Sequence, residues 1–592
     1  MSERLRRRAA ACFALFAAVA AGVVVLGEAG VVLLGEAGVA LPGQAGVALS
    51  GQAVAVSPGQ ASSAGQRVTF DPQKFLEHVR ALSSDEFEGR APASAGEEKT
   101  VAYLAARFRE FGATPAMPDG SYFQAVPLVG STPAPGPLAV RKGSEGFDLR
   151  AKDDFVLWTK RAVEETALAN SELVFVGYGV EAPEAQWDDY KGLDVAGKTL
   201  VMLIGDPPVP DPADPSRLDP NTFGGRALTY YGRWNYKFEI AAAKRAAGVL
   251  VIHEAGPAGY EFSVVESKLG EQFELRSPDR NVGRAAVEGW LRLEAGKRLL
   301  SFAGHDFDGL KRRAESRAFE PVPLGLTASM TLRNTLREIG SRNVVAQVAG
   351  TDPALRGECL VMTAHWDHFG YGPAIDGQTI RHGAVDNATG VAALLELARA
   401  FAAKPARRTI VFVAVTAEEQ YLLGSSHYAR SPVIPLDRTL AALNLEMLNV
   451  YGRTSDVTVY GLGASDLDDY VRAAAREQGR DVAPDPEPEQ GWFYRSDHFP
   501  FARLGVPAMW VGGGDRYVGR PADYGRQKRA DYIARRYHKP ADVVLPDWDL
   551  AGAMEDLQIY YDVASRVASA DRYPEWKPGA EFKAVRDRAL RR

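Results

Sequence analysis

Three short runs hold residue types that could share metal ions and activate water: Thr363-Ala-His365-Trp-Asp367-His368, Gly383-Ala-Val-Asp386-Asn387 and Thr416-Ala-Glu418-Glu419-Gln420. Two more of the same kind follow, Asn444-Leu-Glu446 and Tyr537-His538-Lys-Pro-Ala-Asp542. Imidazole nitrogen and carboxylate oxygen together suit zinc, and cobalt or manganese suits similar sites. Singly each run is weak. Asp386 before a helix suits an N-cap, a Glu-Glu pair is commonly solvated surface, and Tyr-His is an ordinary dipeptide. Jointly they read as a two-metal hydrolytic site. An apolar strand ending in two glutamates needs charge compensation, and no neighbouring cluster of Lys or Arg offers it.

The elements that must position these runs can be read from hydrophobic spacing. Thr409 to Val415 is an unbroken strand-like run that leads into Glu418 and Glu419, and Val391, Leu394, Leu395, Ala398 and Phe401 recur at helical spacing after Asp386. From Asn343 onward, strand and helix alternate: Val344 to Val348, Cys359 to Thr363, a helix over Ala388 to Ala403, the Thr409 strand, a helix near Tyr421 to Ala429, and Leu440 to Leu445. Further units fall at Val457 to Tyr460, Asp466 to Gln478, Pro507 to Val511 and Leu550 to Val567. Such alternation implies an α/β fold with a mostly parallel central sheet covered on both faces, a three-layer αβα arrangement. Sites in these sheets gather at the C-terminal ends of strands.

Upstream the texture differs. Arg4, Arg6, Arg7 and Arg8 precede an apolar run from Ala9 to Leu26, the order of a secretory signal and long enough for a membrane anchor, so export is expected either way. A Gly-rich eight-residue phrase then recurs from Gly27 to Gln60 and reads as a low-complexity spacer. Order begins near Phe70, with apolar stripes at Phe75, Val79 and Leu82 and at Val101, Leu104, Phe108 and Phe111. Between Ser131 and Arg333, strand-like runs (Leu173 to Val180, Thr199 to Ile204, Val249 to His253, Leu326 to Leu332) are separated by Pro- and Gly-rich stretches, with one amphipathic helix near Phe238 to Ala247.

At 592 residues, two or more domains are expected. A net charge of -6, with no basic patch interleaved with aromatics, argues against nucleic acid as a partner. Cys12 and Cys359 are the two cysteines, so once a signal is removed no intrachain disulfide remains, and Cys359 reads as a small buried hydrophobe on a strand.

The successive motifs His365-Trp-Asp367, Gly383-Ala-Val-Asp386-Asn387-Ala-Thr-Gly390, Ala417-Glu418-Glu419 through Gly424-Ser425, Ser496-Asp497-His498 with Gly505-Val-Pro507, and Tyr537-His538 through Asp542 resemble those of the di-zinc aminopeptidases. The resemblance covers about Phe70 to Gly130 and Asn343 to the last helix. The intervening stretch, with Glu172-Leu-Val-Phe-Val-Gly-Tyr-Gly and Val195-Ala-Gly-Lys-Thr-Leu-Val, is similar to the β-rich protease-associated domain inserted in the aminopeptidase Y branch. The resemblance implies a zinc-peptidase domain over 67–130 and 334–575 interrupted by a protease-associated insert over 131–333. A signal or anchor occupies 1–26, the spacer 27–66 and a basic C-terminal tail 576–592. It also implies two Zn2+ per chain. Asp386 would bridge them, with His365 and Glu446 on one ion and Glu419 and His538 on the other. Glu418 would be the general base, Tyr537 the donor to the developing oxyanion, and Asp367 a supporting carboxylate. The Glu446 position is more often aspartate in that family.

The expected activity is removal of N-terminal residues from peptides by an exported, periplasmic or extracellular enzyme, with a membrane tether through the N-terminal run as the variant reading. A carboxypeptidase or dipeptidase on the same scaffold would need a basic clamp, for which Arg495 or Arg516 could serve. A glutaminyl cyclase relative would bind a single zinc, and a non-catalytic binder of the transferrin-receptor kind would have lost ligands. His368, His382 and His498 sit near the motifs and could line the cleft. His78, His253, His305 and His427 read as packing or surface residues. Trp492, Phe493 and Tyr494 suit a side-chain pocket or a core anchor equally well.

Overall fold

Three apolar runs explain the centre of the molecule: Cys359–His365, Thr409–Val415 and Thr439–Asn444 are buried at every position. The computed structural model describes residues 68–591, so the signal or anchor run and the repeat lie outside the described residues. Within it, β1 is Phe123–Pro135, β2 Val322–Val348, β3 Cys359–His365, β4 Thr409–Val415, β5 Thr439–Asn444, β6 Asp456–Tyr460 and β7 Ala508–Gly513. The helices used below are α1 (Pro72–Leu82), α2 (Ala95–Phe111), α3 (Thr389–Ala403), α4 (Leu423–Arg430), α5 (Leu467–Glu477), α6 (Tyr524–Arg535) and α7 (Ala551–Ser569).

The sheet over the site runs β2-β4-β3-β5-β7-β6. The four central strands are parallel, and β2 and β6 are antiparallel at the two flanks. Side chains alternate between its faces with the period of a strand. Leu360, Met362, Ala364, Ile410, Phe412 and Leu443 join the cluster that includes α1, α2, α3 and α7. Val361, Val411, Val413, Val415 and Ala442 join a second cluster with Tyr428, Phe499 and Phe501. Helices thus lie on both faces, the αβα layering expected from the alternation. Because β3, β4 and β5 are parallel and in register (His365 opposite Val415, Thr363 opposite Asn444), their C-terminal ends open on one edge.

The stretch 131–333 carries its own parallel run of strands, Leu173–Phe175, Thr199–Leu203, Gly248–Ile252 and Val287–Leu291, with Phe155–Trp158 antiparallel at one side. It holds more helix than the spacing suggested. Beside Trp234–Ala243 there are Leu293–Ala303 and Phe307–Ala314, the latter capped by Asp306, whose side chain accepts from the Gly309 N–H. Their short apolar stripes, Leu299 and Leu300, then Phe307 and Leu310, are too brief to stand out beside the strand signals.

β2 is 27 residues long and continues unbroken across residues 333 and 334. Its first part pairs with Glu165–Phe175, its middle with β1 and its end with β4. The described residues cluster as one compact unit. The last stretch is docked, not trailing: the Trp576 indole donates to the Gly505 carbonyl at 2.8 Å, and Arg586 donates to the carbonyls of Leu436 and Thr439 at 2.8 and 2.7 Å. Buried Trp576 and Phe582 anchor what composition marks as a basic tail. No helix among the described residues is long and apolar enough to cross a membrane.

Candidate metal centre

Each ligand-type group sits where a strand ends or a turn begins. His365 is the last residue of β3 and is buried. Its Nδ1 lies 3.1 Å from the Asp367 carbonyl, and since a carbonyl can only accept, Nδ1 carries a proton and Nε2 is the nitrogen turned toward the carboxylates. That Nε2 is buried without a hydrogen-bond partner, 3.3 Å from Asp386 Oδ1 and 4.0 Å from Glu446 Oε1. Several buried carboxylates converging on one imidazole carry an excess of negative charge that a cation would offset. On the other side, His538 Nε2 is 3.2 Å from both Asp386 Oδ2 and Glu419 Oε2. Asp386 therefore offers one oxygen to each histidine. Glu446 Oε2 accepts from Asn444 Nδ2 at 2.9 Å, which leaves Oε1 as the atom facing His365. Ligand atoms of His365, Asp386 and Glu446 lie within 4.8 Å of one another, as do those of His365, Glu418 and Glu419 and those of His368, Asp386 and Glu419. The donor set fits divalent metal.

The backbone around these groups is held in costly conformations. Ala417, before Glu418, Met447, after Glu446, and His538 itself have φ of 51°, 46° and 58°. Each such L-residue costs on the order of 1–2 kcal/mol. What holds them is a set of buried polar contacts. Asp367 accepts from the backbone N–H groups of Glu418 and Glu419 at 3.1 and 3.4 Å, which fixes the glutamate turn. Asn387, not Asp386, does the capping work: its Oδ1 accepts from the Gly390 and Met447 N–H groups, leaving the Asp386 carboxylate to the histidines. Asp542 accepts from the N–H groups of Val385 and Asp386 and from the Tyr532 hydroxyl, each at 3.1 Å.

Arg90 is the residue that spacing did not reveal. It is fully buried beneath the site, and its guanidinium donates to the carbonyls of Trp366, Leu82, His382 and Gly383, tying the N-terminal helices to the two loops that carry His365 and Asp386. Gly89 before it, at φ 67°, has no room for a Cβ, which would meet the Arg381 carbonyl at 2.4 Å. Glycine followed by a lone arginine was the sequence signal available.

Crowded carboxylates set the electrostatics. Burial pushes Glu418 and Glu419 well above the usual carboxylate range, with neighbouring acids adding to it and His365 opposing. Burial takes Glu446 to about 8, opposed by His365 and helped by Asp386. Asp386 goes the other way: burial would raise it, but its contacts with His365 and His538 hold it well below that range. Burial also pushes the Tyr537 phenol well above its ordinary value, opposed by Arg495, so the ring keeps its O–H.

Asp386, Glu418, Glu419, Glu446 and Tyr537 line one pocket of about 270 Å³ together with Trp492, Arg495 and Trp510. The structure separates the aromatic trio. Trp492 walls the pocket, whereas Phe493 packs on His498 and Tyr494 on Tyr230 and Phe499. It also separates the two arginines: Arg516 is engaged by Asp456 and Asp481, and Arg495 faces the pocket. Of the histidines near the motifs, His368 enters the centre, with Nδ1 2.6 Å from Glu419 Oε1. His382 instead bridges Asp85 and the Pro540 carbonyl, and His498 is buried against the Phe493 ring. His253 packs among Tyr260, Phe262 and Trp290, and His78 meets the Tyr103 hydroxyl at 2.6 Å.

Residues 343–562 match the family model described as peptidase family M28. Among curated proteins, the chain is similar to aminopeptidase YwaD of Bacillus subtilis (strain 168), at 32% identity over 152 residues, 25% of this chain and 30% of the relative. It is also similar to a probable zinc metalloprotease of Pyrenophora teres f. teres (strain 0-1), at 40% identity over 105 residues, 18% of this chain and 22% of the relative. These alignments span less than a third of the relatives' own length. Among solved structures, an aminopeptidase from Aneurinibacillus sp. strain AM-1 aligns over 86% of this chain and 96% of that one, at 18% identity and a TM-score of 0.45. His365, Asp386, Glu418, Glu419, Glu446 and His538 all fall inside the stretch that matches the peptidase family M28 model.

Proposed function

We propose that this chain is an exported metallo-aminopeptidase that removes N-terminal residues from peptides. The observation that carries the reading is the meeting of four carboxylate and imidazole groups, His365, Glu446, Glu419 and His538, around Asp386, which offers one oxygen to each histidine. The family match and the relatives named aminopeptidase and zinc metalloprotease support it. Export rests on the basic-then-apolar order of Arg4 to Leu26.

His365, Asp386 and Glu446 would hold one zinc ion and His538, Asp386 and Glu419 a second, and bound there the metal would supply Lewis acidity; cobalt or manganese suits the same donors. Glu418, aimed into the pocket by the N–H contact with Asp367, takes the proton from the water and delivers it to the departing amine. Tyr537, kept protonated by burial, donates its O–H to the oxygen that gains charge. The acidic pocket attracts a cationic amino terminus. Its neighbour, a cavity of about 810 Å³ walled by Tyr451, Tyr460, Trp492 and Trp510, suits a large apolar first side chain.

The test is a side-by-side assay of aminoacyl anilides, N-blocked anilides and C-terminal substrates, with the Glu418→Gln variant run in parallel. Wild-type protein is expected to cleave only substrates with a free amine, to lose activity on chelation and to regain it with zinc or cobalt. Glu418→Gln should keep about two ions per chain while losing roughly a hundredfold or more in turnover. Cleavage of N-blocked substrates, or full activity in that variant, would sink the mechanism.

A further inference from the structure

Two larger cavities lie beyond the site pocket, one sharing its Trp492, Trp510 and Tyr537 walls and one reached in sequence from Arg495 to Tyr494, and their linings differ in kind. One is the aromatic cavity described above. The other, about 820 Å³, lies where the 131–333 stretch meets the family-matched segment and is bounded by Arg233, Trp234, Tyr421 and Tyr494. Most charges around this second cavity are paired: Lys160 lies 2.9 Å from Glu274 and Arg503 2.6 Å from Glu239.

Arg233 is different. It sits just before the helix Trp234–Ala243, and its guanidinium has no carboxylate or hydrogen-bond partner among the described residues. Burial lowers its pKa to about 10, and the largest charge effect on it comes from another cation, Arg495, which lowers it further. Arg495 lines the site pocket beside Glu418, Glu419 and Tyr537 and lies over Trp492, 4.4 Å from the ring centre, and it too has no carboxylate partner among the described residues. Tyr421, two residues beyond Glu419, is within the field of both guanidiniums, and Lys268 stands 4.2 Å from its ring centre. Like charges held together without an anion are unfavourable, and an anion arriving between them relieves the repulsion.

We propose that Arg495 and Arg233 form a carboxylate clamp on the leaving side of the scissile bond, so that the preferred substrates are di- and tripeptides with a free C-terminal carboxylate. The assignment rests on the aminopeptidase reading, which fixes the direction of the bound chain. The amino end lies among Asp386, Glu418, Glu419 and Glu446, its side chain enters the aromatic cavity, and the remainder of the peptide leaves toward the cationic side. One residue spans roughly 3.3–3.6 Å of extended chain. A dipeptide carboxylate therefore falls one step past the reacting carbonyl, beside a group that lines the same pocket, and a third residue carries it on toward Arg233. Guanidinium and carboxylate pair through two parallel charge-assisted hydrogen bonds, so the clamp reads the carboxylate and tolerates variation in the side chain.

The experiment compares kcat/KM for three substrates sharing one apolar first residue: Leu-Ala free acid, Leu-Ala amide and Leu-Asp amide, in which the carboxylate comes from a side chain. The metal-loaded full chain is used, with Arg233→Ala and Arg495→Ala as variants. Because neither guanidinium satisfies a buried partner, either can be removed without leaving an orphaned group. Wild-type protein is expected to favour the free acid over the amide by about tenfold or more, the range of one charged hydrogen bond. Each variant should bring that ratio toward one, with Arg233→Lys restoring part of it. Leu-Asp amide should behave like the amide if the clamp is built for a main-chain carboxylate; equal preference for it would widen the class to acidic second residues and still support the clamp. A wild-type ratio of one or less, or a ratio unchanged in both variants, overturns the clamp while leaving the aminopeptidase reading in place. Cleavage of none of the three overturns both.

Discussion

At the scale of the residue, the candidate ligand groups and the group that supports them were unequally visible. His365, Asp386, Glu418, Glu419, Glu446 and His538 announce themselves because each belongs to a short polar run bordering an apolar one. Arg90 has no such neighbourhood; its partners Trp366, His382 and Gly383 are more than 270 positions away. His368 was legible only as a histidine near a motif, because spacing does not say which way a side chain turns. Replacing Arg90 with Met removes the donor to four buried carbonyls, and an unpaired buried acceptor costs about 1–3 kcal/mol. Arg90→Met is therefore expected to lower stability by at least about 3 kcal/mol and to weaken metal retention, since the carbonyls belong to the loops of His365 and Asp386. Denaturant unfolding and metal analysis after dialysis check this; a variant with unchanged midpoint and metal content would remove Arg90 from that role.

At the scale of the element, the central strands followed from composition alone: fully apolar runs in alternation with helices leave few alternatives to a buried parallel sheet. The turns after them did not. Ala417, Met447 and His538 adopt left-handed backbone that no propensity scale assigns to them, because surrounding contacts impose it. The junction of Asp386 with α3 shows how tight the fit is. A Cβ on Gly390 would stand 2.3 Å from Asn387 Oδ1 and 2.4 Å from the Leu445 carbonyl, so the first turn of α3 presses directly on the end of β5. Gly390→Ala is expected to push Asn387 from its contacts with the Gly390 and Met447 N–H groups and to displace Asp386 and Glu446 together. Thermal unfolding with and without added zinc reads this out: wild-type protein gains stability from the metal, and the variant should gain much less. An equal gain in both would show that the turn adapts.

At the scale of the whole molecule, the last residues, the 131–333 stretch and the family-matched segment meet around Glu581. Burial raises its pKa to about 8 from 4.5; the Tyr494 hydroxyl lowers it, and Glu184 and Asp206 raise it further. A carboxyl raised in the folded state holds its proton there after the unfolded chain has released it. Its contribution to stability is complete below about pH 4.5 and is lost as pH climbs through 8. Glu581→Gln removes this dependence. The variant should melt above wild type at pH 8, and the gap should close by pH 5. A gap that is the same at both pH values would mean that Glu581 is already solvated in the fold.

The 27-residue strand β2 bears on how this protein could be recombined with its relatives. A crossover placed at residue 333, where composition suggests a boundary, would cut a continuous ladder and separate Thr331, which faces Ala167, from Asn343, which faces Gln124. β1 and β2 must travel as a pair from a single parent. Junctions belong before Phe123 and in the loop 349–358 between β2 and β3, and a library of chimeras cut there keeps the long β1–β2 ladder whole, leaving the short pairing of Val344–Val348 with β4 to cross between parents.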